Sequence, residues 1–268
     1  MGMPRNLYLV RHGQSEGNLL HQQYRETGDI SLFSSNFLNI HESQYMLTDK
    51  GIEQAHSAGK WLKRNIKSPF ARMLVSNNNR AMQTAAYLEL EGSSWMIDAN
   101  LRERENGLFN VLTPAEIEAN YKNHQKFHDS QPLLYRPPQG ESMADAILRI
   151  KVVLNTLARE CSGKDVVIVC HGHIIRGFRI ILEHMSLSES NEYLNTEEEW
   201  GKVPNCAIVH YTRINSKEEN SGLHEHLNWV RIIRPAGGGE PEDNFRLIKR
   251  KKYSNEELLQ EVKKCRPK

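Results

Sequence analysis

No segment of this 268-residue chain comes near the roughly 20 consecutive apolar residues that a membrane-spanning helix needs, so none is expected to cross a bilayer. An excess of either charge is also missing: 35 lysines and arginines stand against 33 aspartates and glutamates. That balance gives no general affinity for nucleic acid or lipid headgroups, so an anion site must come from local clustering. Cysteine is sparse, at Cys161, Cys170, Cys206 and Cys265, with no C-x-x-C pair and no short regular spacing. Thiols scattered in this way read as packing or surface residues in a reducing compartment. The stretch Met1 to Leu7 lacks the apolar run of a signal peptide. The expectation is a soluble cytoplasmic protein with no metal and no cofactor.

What the chain does have is strand and helix in alternation. Leu7–Val10 is an apolar run ending in Arg-His-Gly, and Asp165–Cys170 is a second run ending in His-Gly. Continuous β-branched runs suit the central strands of a parallel sheet covered on both faces. Further strands are expected at 72–76, 94–97, 207–212 and within 223–233. Helices are expected from Thr48 to Ile66, Asn79 to Leu90, Ser142 to Ala158 and His173 to Glu183, the third with one buried stripe from Met143 to Leu157. Pro114 fits the first turn of a short helix after Thr113. The fold class is therefore α/β: a three-layer sandwich whose mostly parallel central sheet is flanked by helices. Residues 1–234 form the expected catalytic domain, with polar insertions near 21–45 and 120–138 that have no clear period. Residues 235–268 then read as a Gly/Pro linker and a basic helical tail, in which Ser254 and Glu257 have capping-box spacing.

The chemistry-bearing residues sit at the ends of the two strongest strands, where open α/β sheets place their ligands. Arg11 can fork two N–H donors onto a phosphoryl group, His12 can attack phosphorus, and Gly13 lets the backbone approach a bound anion. Ser15 and Asn18 can either face the site or cap the next helix. His171 and His173 raise a metal reading, but neighbouring arginines would repel a cation and no carboxylate lies close in sequence.

The stretch Leu9-Val-Arg-His-Gly-Gln-Ser-Glu-Gly-Asn18 resembles the signature of the histidine phosphatase superfamily, in its phosphoglycerate mutase-like branch. In the family's order follow Leu47–Ala55, Ser76–Ala85, Leu101–Arg104, Gly140–Ser142 with Asp145, Val169–Gly172 and Pro204–Ala207. The resemblance implies a phosphohistidine on His12, with Arg11, Arg80, His171 and Asn18 around the phosphoryl oxygens. It implies Glu103 as the carboxyl that protonates the leaving oxygen, Glu105 and Glu141 being its rivals. That task needs a carboxyl protonated near neutral pH, raised by burial or other carboxylates and opposed by Arg102 and Arg104 if they point inward.

Mutases of the family carry a loop like N-x-F-T-G-W soon after the nucleophile. Here Leu19–Gly28 has no tryptophan, which favours a phosphatase over a mutase, with a non-catalytic phosphate-binding module as the reading from another class. The expected partner is a small phosphorylated substrate or phosphate ion. Arg25, Lys122, Lys126 and Arg136 are available for a second anionic group, and the insertion at 21–45 is a candidate lid.

Overall fold

The computed structural model describes residues 2–66, 68–196, 201–214, 222–237 and 244–264. Among these, seven strands form one sheet: β1 (Asn6–Arg11), β2 (Arg72–Val75), β3 (Trp95–Ile97), β4 (Asp165–Cys170), β5 (Ile208–Thr212), β6 (Trp229–Ile233) and β7 (Arg246–Leu247). Their spatial order is β3-β2-β4-β1-β5-β6-β7. β3, β2, β4 and β1 run parallel, and β5, β6 and β7 extend the sheet antiparallel. The helices are α1 (Glu16–Thr27), α2 (Ser35–Leu38), α3 (Asp49–Asn65), α4 (Asn79–Tyr87), α5 (Pro114–Asn120), α6 (His124–Ser130), α7 (Met143–Glu160), α8 (Gly172–Leu182), α9 (Leu187–Asn195) and α10 (Asn255–Lys264). None of them is long and apolar enough to cross a membrane.

The period-2 geometry of the central strands sorts their side chains into two cores. On one face Leu7, Leu9, Val166 and Ile168 pack with Ile150, Val153 and Leu157 of α7 and Ile174 and Phe178 of α8. On the other, Tyr8, Val10, Val167 and Val169 pack with Ala55, Ala58 and Leu62 of α3 and Ala81 and Ala85 of α4. Every residue of β4 is buried, as a strand covered on both sides requires. α7 is capped by a reciprocal Ser142–Asp145 box and α5 by Thr113 with Pro114 at its start.

The structure departs from the expected segmentation in three places. The polar stretch at 21–45 is not one loop: its first third continues α1, whose buried residues are only Gly17 and Leu20. Two apolar anchors in 12 residues give too weak a period to read. Likewise 120–138 contains α6, which buries nothing. The sheet also continues past the boundary expected at residue 234. β7 pairs with β6 through Trp229–Leu247 and Val230–Arg246, and Ile248 is buried in the first core. A two-residue strand carries no detectable alternation. Residues 238–241 of the expected linker, and Cys265, lie outside the described residues. The Ser254–Glu257 box is formed, with Glu257 N–H donating to Ser254 Oγ and Ser254 N–H to Glu257 Oε2.

One backbone contact fixes the loop after β1. A Cβ on Gly13 would collide with Gly51 O, and a Cβ on Gly51 with Gln14 O. The start of α3 thus rests directly on the loop that follows His12. Ala is the better helix former by about 1 kcal/mol, but forcing a methyl into backbone costs about 1–3 kcal/mol, so the collision decides the sign. Gly51→Ala is expected to destabilise the fold by up to about 2 kcal/mol in urea unfolding; an unchanged or raised midpoint would show that α3 can shift freely.

Candidate active site

Sheet register assembles the site. β1 and β4 pair Arg11 with Cys170, so the next residue of each strand, His12 and His171, leaves the sheet side by side. His12 N–H donates to Cys170 O (3.0 Å), and the two imidazole centroids are 5.1 Å apart. β2 lies against β4 with Val75 opposite Val169, which brings in Ser76 and, in the first turn of α4, Arg80. His12, His171 and Arg80 are all buried. Together with Arg11, Asn18 and Glu103, His12 and Arg80 line a cavity of about 490 Å3 whose walls also include His21, Glu42, Tyr45, His173 and Arg176.

Hydrogen bonds set the imidazole tautomers. His12 Nδ1 is 2.7 Å from Gly13 O, a pure acceptor, so Nδ1 carries the proton and donates it. Nε2 is then the lone-pair nitrogen, and Arg80 Nε donates into it at 3.3 Å. His171 Nε2 is 2.7 Å from Ser76 Oγ, which also accepts the Asn78 N–H. We assign the hydroxyl as donor to Nε2, which puts the His171 proton on Nδ1. That buried atom has no hydrogen-bond partner among the described residues, and neither has Arg11 Nε. Arg11 is held by its Nη1, which donates to Val203 O (2.6 Å).

Desolvation is the main force on both imidazoles. It holds His12 well below the usual histidine range, with Arg80, His171 and Arg11 adding to the effect. His171 is likewise held well below it, by burial first and then Arg80, with Glu103 opposing. Both rings are neutral at neutral pH. A ring-nitrogen lone pair faced by a guanidinium is an arrangement that can serve as a nucleophile beside an anion cradle.

Glu103 reaches the site from the loop after β3. Arg149 of α7 pins that loop, donating to Asn100 O (2.5 Å) and Glu103 O (3.2 Å) while pairing with Glu141 (3.0 Å). Burial pushes the Glu103 carboxyl up, but His173 at 3.6 Å, then His171 and Arg80, outweigh it and hold it well below the usual carboxylate range. The groups that hold it down differ from those expected. Arg102 turns to Glu141 (2.6 Å) and Arg104 to Asn106 (3.0 Å). The rivals of Glu103 are engaged elsewhere: Glu141 by Arg149 and Arg102, and Glu105 by Gly107 N–H and Asn110 Nδ2. His173, weighed in the sequence as a metal ligand, is instead the partner of Glu103.

Two of the residues expected at the phosphoryl group also carry bonds within the fold. Gly13 does not offer its N–H to an anion, because that group donates to Thr84 Oγ1 (3.0 Å), which in turn donates to Arg80 O (2.7 Å). Its lack of a side chain serves the contact with Gly51. Asn18 forms a capping box with Ser15 and also accepts from Asn205 Nδ2 (3.0 Å) at the same Oδ1; only its Nδ2 is left to face the cavity. None of Arg25, Lys122, Lys126 and Arg136 lines the cavity, and Arg136 pairs with Asp145 (2.6 Å).

Sequence reasoning missed Glu42, Ser76, Thr84 and Arg176 as site residues. Ser76 and Thr84 lie within the quoted Arg80 block, and Arg176 falls one turn after Gly172 on α8. Glu42 has no such signal, since it comes from the irregular insertion. There its backbone carbonyl accepts from Arg80 Nη1.

Residues 7–200 match the model of the Histidine phosphatase superfamily (branch 1). Human 6-phosphofructo-2-kinase/fructose-2,6-bisphosphatase 4 is 30% identical over 174 residues, which are 65% of this chain and 32% of that protein. The chain thus spans about a third of the length of the curated relatives it matches. Among solved structures, mycobacterial glucosyl-3-phosphoglycerate phosphatase superposes with a TM-score of 0.58 at 23% identity, covering 77% of this chain and 89% of that one. Bacillus stearothermophilus YhfR gives 0.60 at 22% identity, covering 82% and 94%. At these identities the structural likeness speaks for the fold.

The buried imidazoles carry a pH consequence. His12, His171 and His210 all have folded values well below 6.5, each through burial first. Between the folded and unfolded values the unfolded chain binds more protons, so stability rises with pH there and is lost as pH falls below about 6.5. Each residue contributes a slope of about 1.4 kcal/mol per pH unit. Urea midpoints at a series of pH values from 7.5 to 5 should fall toward acid and recover part of the loss in His210→Gln; a flat profile would mean that these imidazoles titrate normally.

Proposed function

The chain belongs to the histidine phosphatase superfamily, branch 1, and on that premise we propose that it hydrolyses a small phosphate monoester through a phosphohistidine on His12. The observation that carries this reading is the state of His12: neutral, with its lone pair on Nε2 and that nitrogen facing Arg80. The phosphoryl oxygens take the place of Nε2 as acceptors for Arg80 and bond the two donors left without partners, Arg11 Nε and His171 Nδ1. Asn18 Nδ2 is a neutral donor to the same group.

In the first half-reaction Nε2 forms a bond to phosphorus as the ester P–O bond breaks, and the electron pair goes to the leaving oxygen with a proton. In the second half-reaction water attacks phosphorus, the P–N bond breaks, and phosphate departs. Glu103, beside His173 at the wall of the cavity, handles the proton in both halves. Its ionised resting form suits the base role toward water, and the negative charge of an arriving phosphoryl group pushes its pKa up toward the acid role. The cavity's size suits a small metabolite. The names of the relatives, fructose-2,6-bisphosphatase and glucosyl-3-phosphoglycerate phosphatase, fit a phosphorylated sugar or sugar acid as substrate class. The catalytic unit in this reading runs through Ile248, because β7 and Ile248 complete the sheet and its core.

Phosphate release from p-nitrophenyl phosphate and a panel of sugar phosphates tests the proposal. Wild type is expected to turn over and to trap an acid-labile phosphoenzyme on rapid quenching, while His12→Ala loses both. Arg80→Gln is expected to lower kcat/KM by about 10²–10³-fold, as for removal of one preorganised oxyanion donor. Phosphoenzyme on another residue, or turnover that survives His12→Ala, would overturn it.

A further inference from the structure

The insertion puts a second carboxyl into the cavity. After α1 the chain runs as a strap from Gly28 to Leu47 that brings Glu42, in a short 3-10 turn, Glu42–Gln44, and Tyr45 to the cavity wall. The strap is seated by its backbone. Arg80 Nη1 donates to Glu42 O, Asn79 Nδ2 to Gln44 O (3.0 Å), Met46 N–H to Glu16 Oε2 (2.9 Å) and Leu47 N–H to Gln83 Oε1 (2.7 Å). Tyr45 packs on Gly17 and stacks on Phe37 with centroids 4.7 Å apart. The Arg80 guanidinium that faces His12 therefore also holds the Glu42 backbone, which keeps Glu42 at the cavity wall.

We propose that Glu42 and Glu103 work as a pair that carries one proton between them, Glu42 storing the proton that the leaving oxygen takes. This rests on the phosphatase reading above. Glu103 alone has a difficulty in that reading: its hydrogen-bonding contact with His173 and the charge of Arg80 keep it ionised before substrate arrives. Glu42 is in the opposite condition. Desolvation raises its carboxyl to about 7, with Arg80 opposing and the charges of Glu103 and Glu105 adding to the rise. The groups facing Glu42 are Arg80 from α4 and Glu103, Arg104 and Glu105 from the loop after β3; Tyr45 neighbours it on the strap. His41, next to it in sequence, turns to Glu105 (3.7 Å).

Two carboxyls in one site titrate as a couple, and the proton goes to whichever the local charge favours. When a phosphoryl dianion settles between Arg11 and Arg80, it offsets the Arg80 charge that helps to hold Glu103 down. The proton of Glu42 then moves to Glu103 and on to the ester oxygen as the P–O bond breaks. Glu42 is left as a carboxylate. It regains a proton in the second half-reaction, when the attacking water gives one up to the pair.

The test compares two esters. p-Nitrophenolate leaves without a proton, whereas the alkoxide of glycerol 2-phosphate needs one. Glu42→Gln keeps the side-chain shape and the backbone carbonyl that holds Arg80. It is expected to lower kcat/KM for glycerol 2-phosphate by about 10²-fold, the scale of general-acid catalysis, and to change that for p-nitrophenyl phosphate less than about 3-fold. The fall in wild-type glycerol 2-phosphate activity as pH rises past 7 should vanish in Glu42→Gln and return in Glu42→Asp. Equal losses on both esters, no loss on either, or an unchanged pH limb would overturn the proposal. A wild type that turns over neither ester and forms no phosphohistidine would instead overturn the phosphatase reading itself.

Discussion

A protonated His12 would share buried space with the guanidiniums of Arg11 and Arg80. Even at an effective dielectric near 20, like charges about 4 Å apart repel by about 4 kcal/mol, and desolvation adds to that. The ring stays neutral, and its one proton is drawn to Nδ1 by Gly13 O. Nε2 is left as an unprotonated nitrogen facing a cation. Most of the surrounding architecture maintains this state. β4 supplies a backbone acceptor for His12 N–H, Thr84 ties Gly13 to the first turn of α4, and Gly51 leaves room for the loop to pass. An anion entering the cradle relieves the repulsion among the guanidiniums, so binding and activation draw on the same electrostatics.

The carboxyl side of the site is built by a different principle. Glu103 hangs from a loop whose carbonyls are gripped by Arg149, a buried arginine on the apolar stripe of α7. A buried cation there is tolerated because Glu141 neutralises it and its remaining N–H groups find carbonyl acceptors. A helix that otherwise packs the core thus reaches across to position a site loop, joining the stability of the α7 layer to the placement of the Glu103 carboxyl.

How much of this was legible in the sequence follows from periodicity. β1, β4, α3 and α7 are long, apolar and strongly patterned, and the residues that end or follow them, Arg11, His12 and His171, could be placed at one sheet edge before any coordinates. Arg80 could be placed because its helix starts one short turn after β2. β7 could not be read from two residues, nor α1 from two buried positions. Glu103 was legible as a residue but not in its electrostatics, because His173 meets it only through the pairing of β4 with β2 and the turn into α8. Glu42 was illegible altogether. It is held at the cavity through a bond between its backbone and Arg80, 38 positions away, and such a bond leaves no mark on residue type.

The way the strap is seated also bears on how this protein can diverge. Side chains of α1 and α4 grip main-chain atoms at Glu42, Gln44, Met46 and Leu47, and main-chain atoms are the same whatever residue stands there. Most positions along the strap can therefore drift under mutation without unseating it. The wall formed by the strap is the part of the pocket freest to be rewritten, while the end around His12, locked by sheet register and glycine contacts, is the part least free. Descendants of this chain would be expected to differ first along the strap and last at the sheet end that holds His12 and Arg80.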